Sequence, residues 1–255
     1  MKGLLARLGF AKSSTPDVNA PSLDALQPDS PFIAIGDIHG CLPQLETLLA
    51  KIETEHPGVD IICVGDFVDR GEQSAQVLRL LMERQQAQPE TFFCLMGNHE
   101  EMMLSYLDKP DRSGDRWLRF GGLQTLASFR VQAPMGPQGS HAETSQKLRE
   151  AMGDALEAWI RELPVQFQRG TVGVVHAGAD PATPLDKQSR KTLLWGHPAF
   201  AAVPRADDMW VLHGHTIVDR PTAEAGRIAV DTGAYATGRL TAALVEPGQV
   251  RFLSA

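Results

Sequence analysis

Long apolar runs are missing from this chain of 255 residues. Nothing in it approaches the roughly 20 apolar residues that a membrane-crossing helix needs, so no stable membrane insertion is expected and the chain reads as soluble. Cysteine is scarce as well, with three residues, Cys41, Cys63 and Cys94, and no C-x-x-C spacing. An odd number without such spacing does not build a disulfide framework; Cys63 and Cys94 fall inside apolar runs, and reduced, mostly buried thiols suit a reducing cytoplasm. A surplus of positive charge is also lacking. With 24 Lys and Arg against 31 Asp and Glu, a net charge of -7, the chain cannot neutralise phosphates along nucleic acid, so no nucleic-acid partner is expected, although one phosphate can still be held locally. No internal repeat is evident, and the length fits one large domain or a domain with an inserted subdomain.

The first ten residues, MKGLLARLGF, are basic and apolar, but Arg7 and Gly9 break the apolar pieces and no convincing cleavage site follows. Export is therefore not expected; a short amphipathic contact with a membrane or partner stays open. Residues 11–30 are rich in Ser, Pro, Asp and Ala without periodicity, which makes residues 1–30 a flexible segment and starts the folded domain (31–255) near Pro31. From there apolar runs alternate with amphipathic ones: strand 32–35, helix 43–54, strand 61–64, helix 74–87, strand 92–96. Residues 99–163 carry apolar positions at three- and four-residue spacing, interrupted by APMGPQGS, and predict a helical cap over about 100–163. After Pro164 the pattern returns to strands at TVGVV, MWVL, RIAV, LTAALV and VRFL.

What the chain does have is one kind of ending. Apolar runs close on GDIHG, GDFVDRG, GNHE, HAG and HGHT. In an open α/β sheet, groups just beyond the carboxyl ends of strands converge on a crevice. Five exits thus deliver Asp37, His39, Asp66, Asp69, Arg70, Asn98, His99, His176 and His215 to one rim. A single Asp or His at a strand exit is usually a solvated turn residue, and Asn98 alone would be a helix cap. Five exits of the same mixed carboxylate, amide and imidazole chemistry are another matter. Such donors suit two divalent ions of intermediate hardness such as Mn²⁺, Fe²⁺ or Zn²⁺; there are too many imidazoles for Ca²⁺ or Mg²⁺ and no thiolates. One carboxylate must bridge ions about 3.5–4 Å apart, and Asp66 is central among the exits.

In this order and spacing the motifs resemble the metallophosphoesterase signature over about residues 31–245. VDRG with GNHE is most similar to the phosphoprotein phosphatase branch, especially bacterial and phage serine/threonine phosphatases. The resemblance implies an α/β fold of two mixed β-sheets packed as a sandwich and flanked by helices. It implies that Asp37, His39 and Asp66 hold one metal and Asp66, Asn98, His176 and His215 the other. Two metals lower the pKa of a bridging water so that hydroxide exists near neutral pH, and they clamp phosphoryl oxygens for in-line attack. His99 then stands as the general acid, Asp69 as its orienting partner, and Arg70 as a bidentate phosphate ligand. Ile217 stands where other metallophosphoesterases carry a further His.

The implied activity is hydrolysis of phosphate monoesters, with phosphoserine or phosphothreonine in proteins, or a small phosphoester, as substrate. The alternative is symmetrical diadenosine tetraphosphate hydrolysis, whose enzymes share GDxHG, GNH and DTG but typically lack the acid of VDRG. A third reading is a non-catalytic metal-binding module that docks a partner. The second phosphate-binding arginine expected near LLW is displaced by Gly196 and His197, which leaves Arg190, Arg205 or His197 to stand in. Asp231 is either an acceptor behind a metal-binding imidazole or a turn residue, and His213 and His56 read as structural.

Overall fold

A computed structural model describes residues 20–135 and 139–255. Strands β1 (Phe32–Ile35), β2 (Asp60–Cys63), β3 (Phe92–Cys94), β9 (Thr241–Glu246) and β10 (Gln249–Ser254) form one mixed sheet in the order β10-β9-β1-β2-β3. Strands β4 (Gln166–Arg169), β5 (Val172–Val175), β6 (Trp210–His213), β7 (Thr222–Glu224) and β8 (Arg227–Ala229) form the other, in the order β4-β5-β6-β8-β7. Within the first sheet β1, β2 and β3 run parallel, and within the second β5, β6 and β8 do.

Side-chain alternation sets the layers. Phe32, Ala34, Ile62 and Val64 meet Val172, Val174, Trp210, Leu212 and Ile228 between the sheets. Ile33, Ile35 and Cys63 point the other way, toward α1 (Leu42–Glu55) and α2 (Ser74–Ala87). Burial on both faces is why the parallel strands read as continuous apolar runs rather than alternating ones. The first helix presents Leu45, Leu48, Leu49 and Ile52 to the core and carries Pro at its first turn, where a missing N–H costs nothing. Each buried Leu or Ile contributes about 1.5–3 kcal/mol relative to exposure.

Between β3 and β4 the chain is helical: α3 (Asn98–Asp108), α4 (Pro110–Trp117), a π-type turn at Leu118–Gly122, α5 (Leu123–Ser128), α6 (His141–Met152) and α7 (Asp154–Glu162). The run expected to be helical over 145–163 is two helices, broken at Gly153, whose φ of 77° suits glycine. Two short helices follow later, α8 (Arg190–Trp195) and α9 (Ala234–Thr237). Strands β4 and β7 were not expected. They are the edges of the second sheet, and neither buries a full residue, so no apolar run announces them.

One expectation needs correcting for the residues described. Residues 20–30 are not a free tether: Leu26 is fully buried in the inter-sheet core. The Trp210 indole N–H donates to Ser22 O at 3.1 Å, and Thr171 Oγ1 donates to Ala25 O at 2.6 Å. A single buried leucine in a polar stretch carries no periodicity by which to recognise it. The rest of that expected segment, residues 1–19, lies outside the described residues. All three cysteines are free. No helix among the described residues is long and apolar enough to cross a membrane.

Candidate dinuclear metal centre

Parallel strands of both sheets end on the same side, so the polar exits of β1, β2, β3, β5 and β6 meet there. Asp66 lies at the middle. Its backbone is left-handed, φ 53°, as it is at His39, Asp69, Arg70 and His215. Such conformations are costly for residues with a Cβ and persist where surroundings over-determine them. Here the determinant is Glu100, fully buried, whose carboxyl accepts N–H groups from Asp66, Phe67, Val68 and Gly97 at 2.8–3.2 Å. Burial and the nearby Asp66 charge push the Glu100 carboxyl up to about 7, against the pull of those N–H groups. Gly97 is required because a Cβ there would fall 2.2 Å from Asp66 Oδ1. GNHE thus supplies room for Asp66, two site side chains, and the brace beneath them. Glu100 was missed in the sequence, although glutamate at the third helical position is a capping signal.

The two Asp66 oxygens face different imidazoles. Oδ2 lies 3.6 Å from His39 Nε2 and 3.8 Å from His99 Nε2; Oδ1 lies 3.3 Å from His176 Nε2. Burial disfavours the Asp66 carboxylate, but His176, His99 and His39 outweigh it and hold the carboxyl well below its usual range. His39 Nδ1 donates to Val68 O at 2.8 Å and His176 Nδ1 to Val64 O at 3.1 Å, which fixes both rings and leaves each Nε2 for the site. Asn98 Oδ1 is 2.8 Å from both His176 Nε2 and His215 Nδ1. Asp37 accepts the backbone N–H of His215 at 3.0 Å, an approach open only because residue 214 is glycine. Burial, then Asp231 and Asp66, push the Asp37 carboxyl well above its usual range. Burial also lowers His39 to about 3 and, with His176, His215 to about 4.

Beside this cluster stands a second unit. His99 Nδ1 donates to Asp69 Oδ2 at 2.7 Å, and Arg70 Nη2 lies 3.2 Å from His99 Nε2. Asp69 is fully buried; its carboxylate also accepts the Trp117 indole N–H at 3.0 Å and the Thr125 hydroxyl at 2.7 Å. Burial works against a charged His99, but Asp66 and Asp69 prevail and raise its pKa. Arg70 lies over the Tyr235 ring at 4.8 Å, and the same ring meets His39 edge-on at 5.3 Å. Trp117, Thr125 and Tyr235 were not read as site residues from sequence; the first two lie in helical segments whose apolar spacing reads as core.

The remaining candidates separate. Arg205 is buried and tied to Asp207, Asp180 O and Thr183 O, so it is a structural anchor rather than a phosphate ligand. His197 accepts from Ala199 N within its own loop. Arg190 pairs with Glu101 at 3.2 Å and reaches Met96 Sδ, two residues before Asn98. Asp231 follows β8, accepts the Gly233 N–H at 2.8 Å and neighbours Asp37, which makes it a turn residue lying against a site carboxylate. His213 packs edge-on against Phe200, away from the cluster, and His56 ends α1.

Cations fit this arrangement. His39 Nε2 is a buried atom without a hydrogen-bond partner. With Nδ1 donating to Val64 O, the lone pair of a neutral His176 Nε2 faces the oxygens of Asn98 and Asp66, acceptor against acceptor. Three buried carboxyls, Asp37, Asp66 and Asp231, repel one another. A positive ion among these atoms relieves all three conflicts at once. The groups His39–Asp66–His99 and Asp66–His176–His215 each bring donor atoms within 4.8 Å, and Asp66 belongs to both.

Known proteins place this geometry. The chain is 28% identical to serine/threonine-protein phosphatase 2 of Salmonella typhimurium, covering 81% of this chain and 89% of that one. It is 27% identical to the asymmetrical bis(5'-nucleosyl)-tetraphosphatase PrpE of Halalkalibacterium halodurans, over 83% of this chain and 88% of that one. Its fold matches a protein serine/threonine phosphatase from Saccharomyces cerevisiae with a TM-score of 0.62 at 17% identity, covering 91% and 85% of the two chains. The calcineurin-like phosphoesterase family model matches residues 30–219, which include every proposed metal-binding and catalytic residue, and the chain belongs to that family.

Proposed function

We propose that this phosphoesterase hydrolyses phosphate monoesters of serine or threonine in proteins. The observation that carries the reading is the buried Asp69–His99 pair with Arg70 at its open nitrogen. Asp37, His39 and Asp66 would hold one divalent ion and Asp66, Asn98, His176 and His215 the other, with Mn²⁺ the best match to the donors and Fe or Zn also compatible. When bound, the ions supply Lewis acidity toward phosphoryl oxygens and a water acidic enough to lose its proton near neutral pH.

The side chains account for the rest. Arg70 neutralises phosphoryl oxygens with a guanidinium that lysine could not replace. His99, its Nδ1–H committed to Asp69, carries a transferable proton at Nε2 and gives it to the departing alkoxide. Trp117 and Thr125 hold the Asp69 carboxylate in place, which fixes the imidazole. We read the phosphoesterase unit as residues 31–255, against which residues 20–30 pack, with a helical cap over about 100–163, in a cytoplasmic protein.

A second reading, dinucleoside tetraphosphate hydrolysis, is favoured by the relative from Halalkalibacterium, which carries the asymmetrical form of that activity in its name where the sequence motifs had suggested the symmetrical one. The test is metal depletion followed by return of Mn²⁺, Fe²⁺ or Zn²⁺, assayed on a phosphoseryl peptide and on diadenosine tetraphosphate. Metal-restored phosphate release from the peptide with the higher kcat/KM is the expected result. A higher kcat/KM on the dinucleotide selects the second reading, and inactivity on both with metal bound leaves a docking module.

A further inference from the structure

Between α4 and α8 lies a groove of about 710 Å³. It is lined by Arg112, Arg116, Arg190, Lys191, Glu101 and Trp195, among others. Arg112 and Arg116 are four residues apart on α4, hence on one face, and Arg190 and Lys191 open α8 opposite them. The one carboxylate is already engaged through both oxygens: Glu101 Oε1 meets Arg190 Nε at 3.2 Å, and Oε2 accepts the Trp195 indole N–H at 2.7 Å. Arg116 lies over the Trp195 ring at 5.0 Å. Arg112 and Lys191, both exposed, have no carboxylate partner among the described residues. In a chain of net charge -7, this is a local surplus of cations that the one carboxylate of the groove offsets only in part.

The groove shares walls with the centre described above. Glu101 and His99 stand two residues apart at the start of α3. Trp117 lines the groove while its N–H donates to Asp69, and Arg190 Nη2 lies 2.6 Å from Met96 Sδ at the head of the GNHE loop. One side chain, Trp117, thus stands between the groove and Asp69, a span that a few residues of an extended peptide cover.

We propose that the groove seats an acidic segment of the substrate polypeptide flanking the phosphorylated residue; this rests on the phosphoprotein reading and adds a sequence preference to it. Cations spread along two facing helices match carboxylates spaced along an extended peptide. A nucleobase is a poorer occupant, because stacking needs an open aromatic face and one face of Trp195 is already covered by Arg116.

The experiment uses the metal-loaded protein and phosphoserine peptides that differ only in flanking aspartates, asparagines or lysines. p-Nitrophenyl phosphate, too small to reach the groove, is assayed alongside to normalise for folding and metal occupancy. At low salt the aspartate peptide is expected to exceed the asparagine peptide in kcat/KM by about tenfold, with the gain in KM and fading as salt rises. The double variant R112E/R116E is expected to reverse the order in favour of the lysine peptide. Equal kcat/KM across the peptides, or a preference that survives in the double variant, overturns the proposal while the phosphoprotein reading stands. If no phosphopeptide is hydrolysed, that reading fails, and fluorescence anisotropy of a labelled, unphosphorylated aspartate peptide judges the groove separately. Binding by the unaltered protein that R112E/R116E loses upholds the groove, and absence of binding overturns it.

Discussion

The two sheets serve the centre unequally. Exits of the first sheet carry Asp37, His39, Asp66, Asp69, Arg70, Asn98 and His99, and their loops are braced by Glu100 from below and by Trp117 and Thr125 from the helical region. Exits of the second sheet carry His176 and His215, fixed mainly by Val64 O and by contact with Asn98. On the proposed assignment, proton transfer, phosphate grip and the shared carboxylate thus sit on one sheet, and the other completes a ligand set. A lesion on the first should remove several functions together; a lesion on the second should remove one.

The sharpest test is Asp66→Asn against His215→Asn. Loss of Asp66 should empty both metal positions and lower turnover by on the order of 10³-fold or more, since one electrostatic contact to a transition state alone is worth 10²–10³. His215→Asn should leave one metal per chain. Metal analysis of both variants decides, and two metals retained in Asp66→Asn would break the comparison.

Next in size is His99→Asn, which should keep its metals and lose about 10²- to 10⁴-fold in kcat for alkyl phosphates, with a smaller loss for p-nitrophenyl phosphate, whose leaving group needs no proton. Equal losses on the two substrates would remove the acid role. Arg70→Ala should cost about 10- to 150-fold in kcat/KM, the worth of a charge-assisted contact of roughly 1.5–3 kcal/mol. With Arg205 committed elsewhere, Arg190 is the arginine flanking LLW that is left to share that load, and a loss of tenfold or more in Arg190→Ala would show that it does.

The smallest effect concerns the second sheet. Burial lowers His213 to about 4 from 6.5. An unfolded chain takes up this proton as pH falls below 6.5, and the folded chain resists until about 4. Stability tied to His213 is therefore complete above pH 6.5 and declines toward 4, by at most about 3 kcal/mol. Urea unfolding of metal-free protein should show a shallower decline between pH 7 and 5 in His213→Gln than in the unaltered chain. An identical slope would mean that the ring takes up its proton at the same pH folded as unfolded.

How far the sequence reveals this centre depends on where each residue stands. Groups at strand exits were legible because parallel strands, buried on both faces, end abruptly in polar residues. Glu100 was not, because a carboxylate in a first helical turn usually faces water; only the fold shows four N–H groups pointing at it. Trp117 and Tyr235 looked like core and turn because nothing local records what lies across space. Edge strands β4 and β7 and the anchoring Leu26 escaped for a related reason: each is defined by its neighbours rather than by its own pattern. The choice among Arg190, Arg205 and His197 likewise needed coordinates, since three residues at similar sequence distance have three different sets of partners.

Left-handed backbone at His39, Asp66, Asp69, Arg70 and His215 carries a consequence for anyone seeking a hardier form of the protein. Each position is one where glycine would relax the main chain, by on the order of 1 kcal/mol. Selection for thermal tolerance alone would be drawn to these very codons, and on the proposed assignment every such gain would lower turnover. A screen that scores melting temperature without turnover will find its false positives here first.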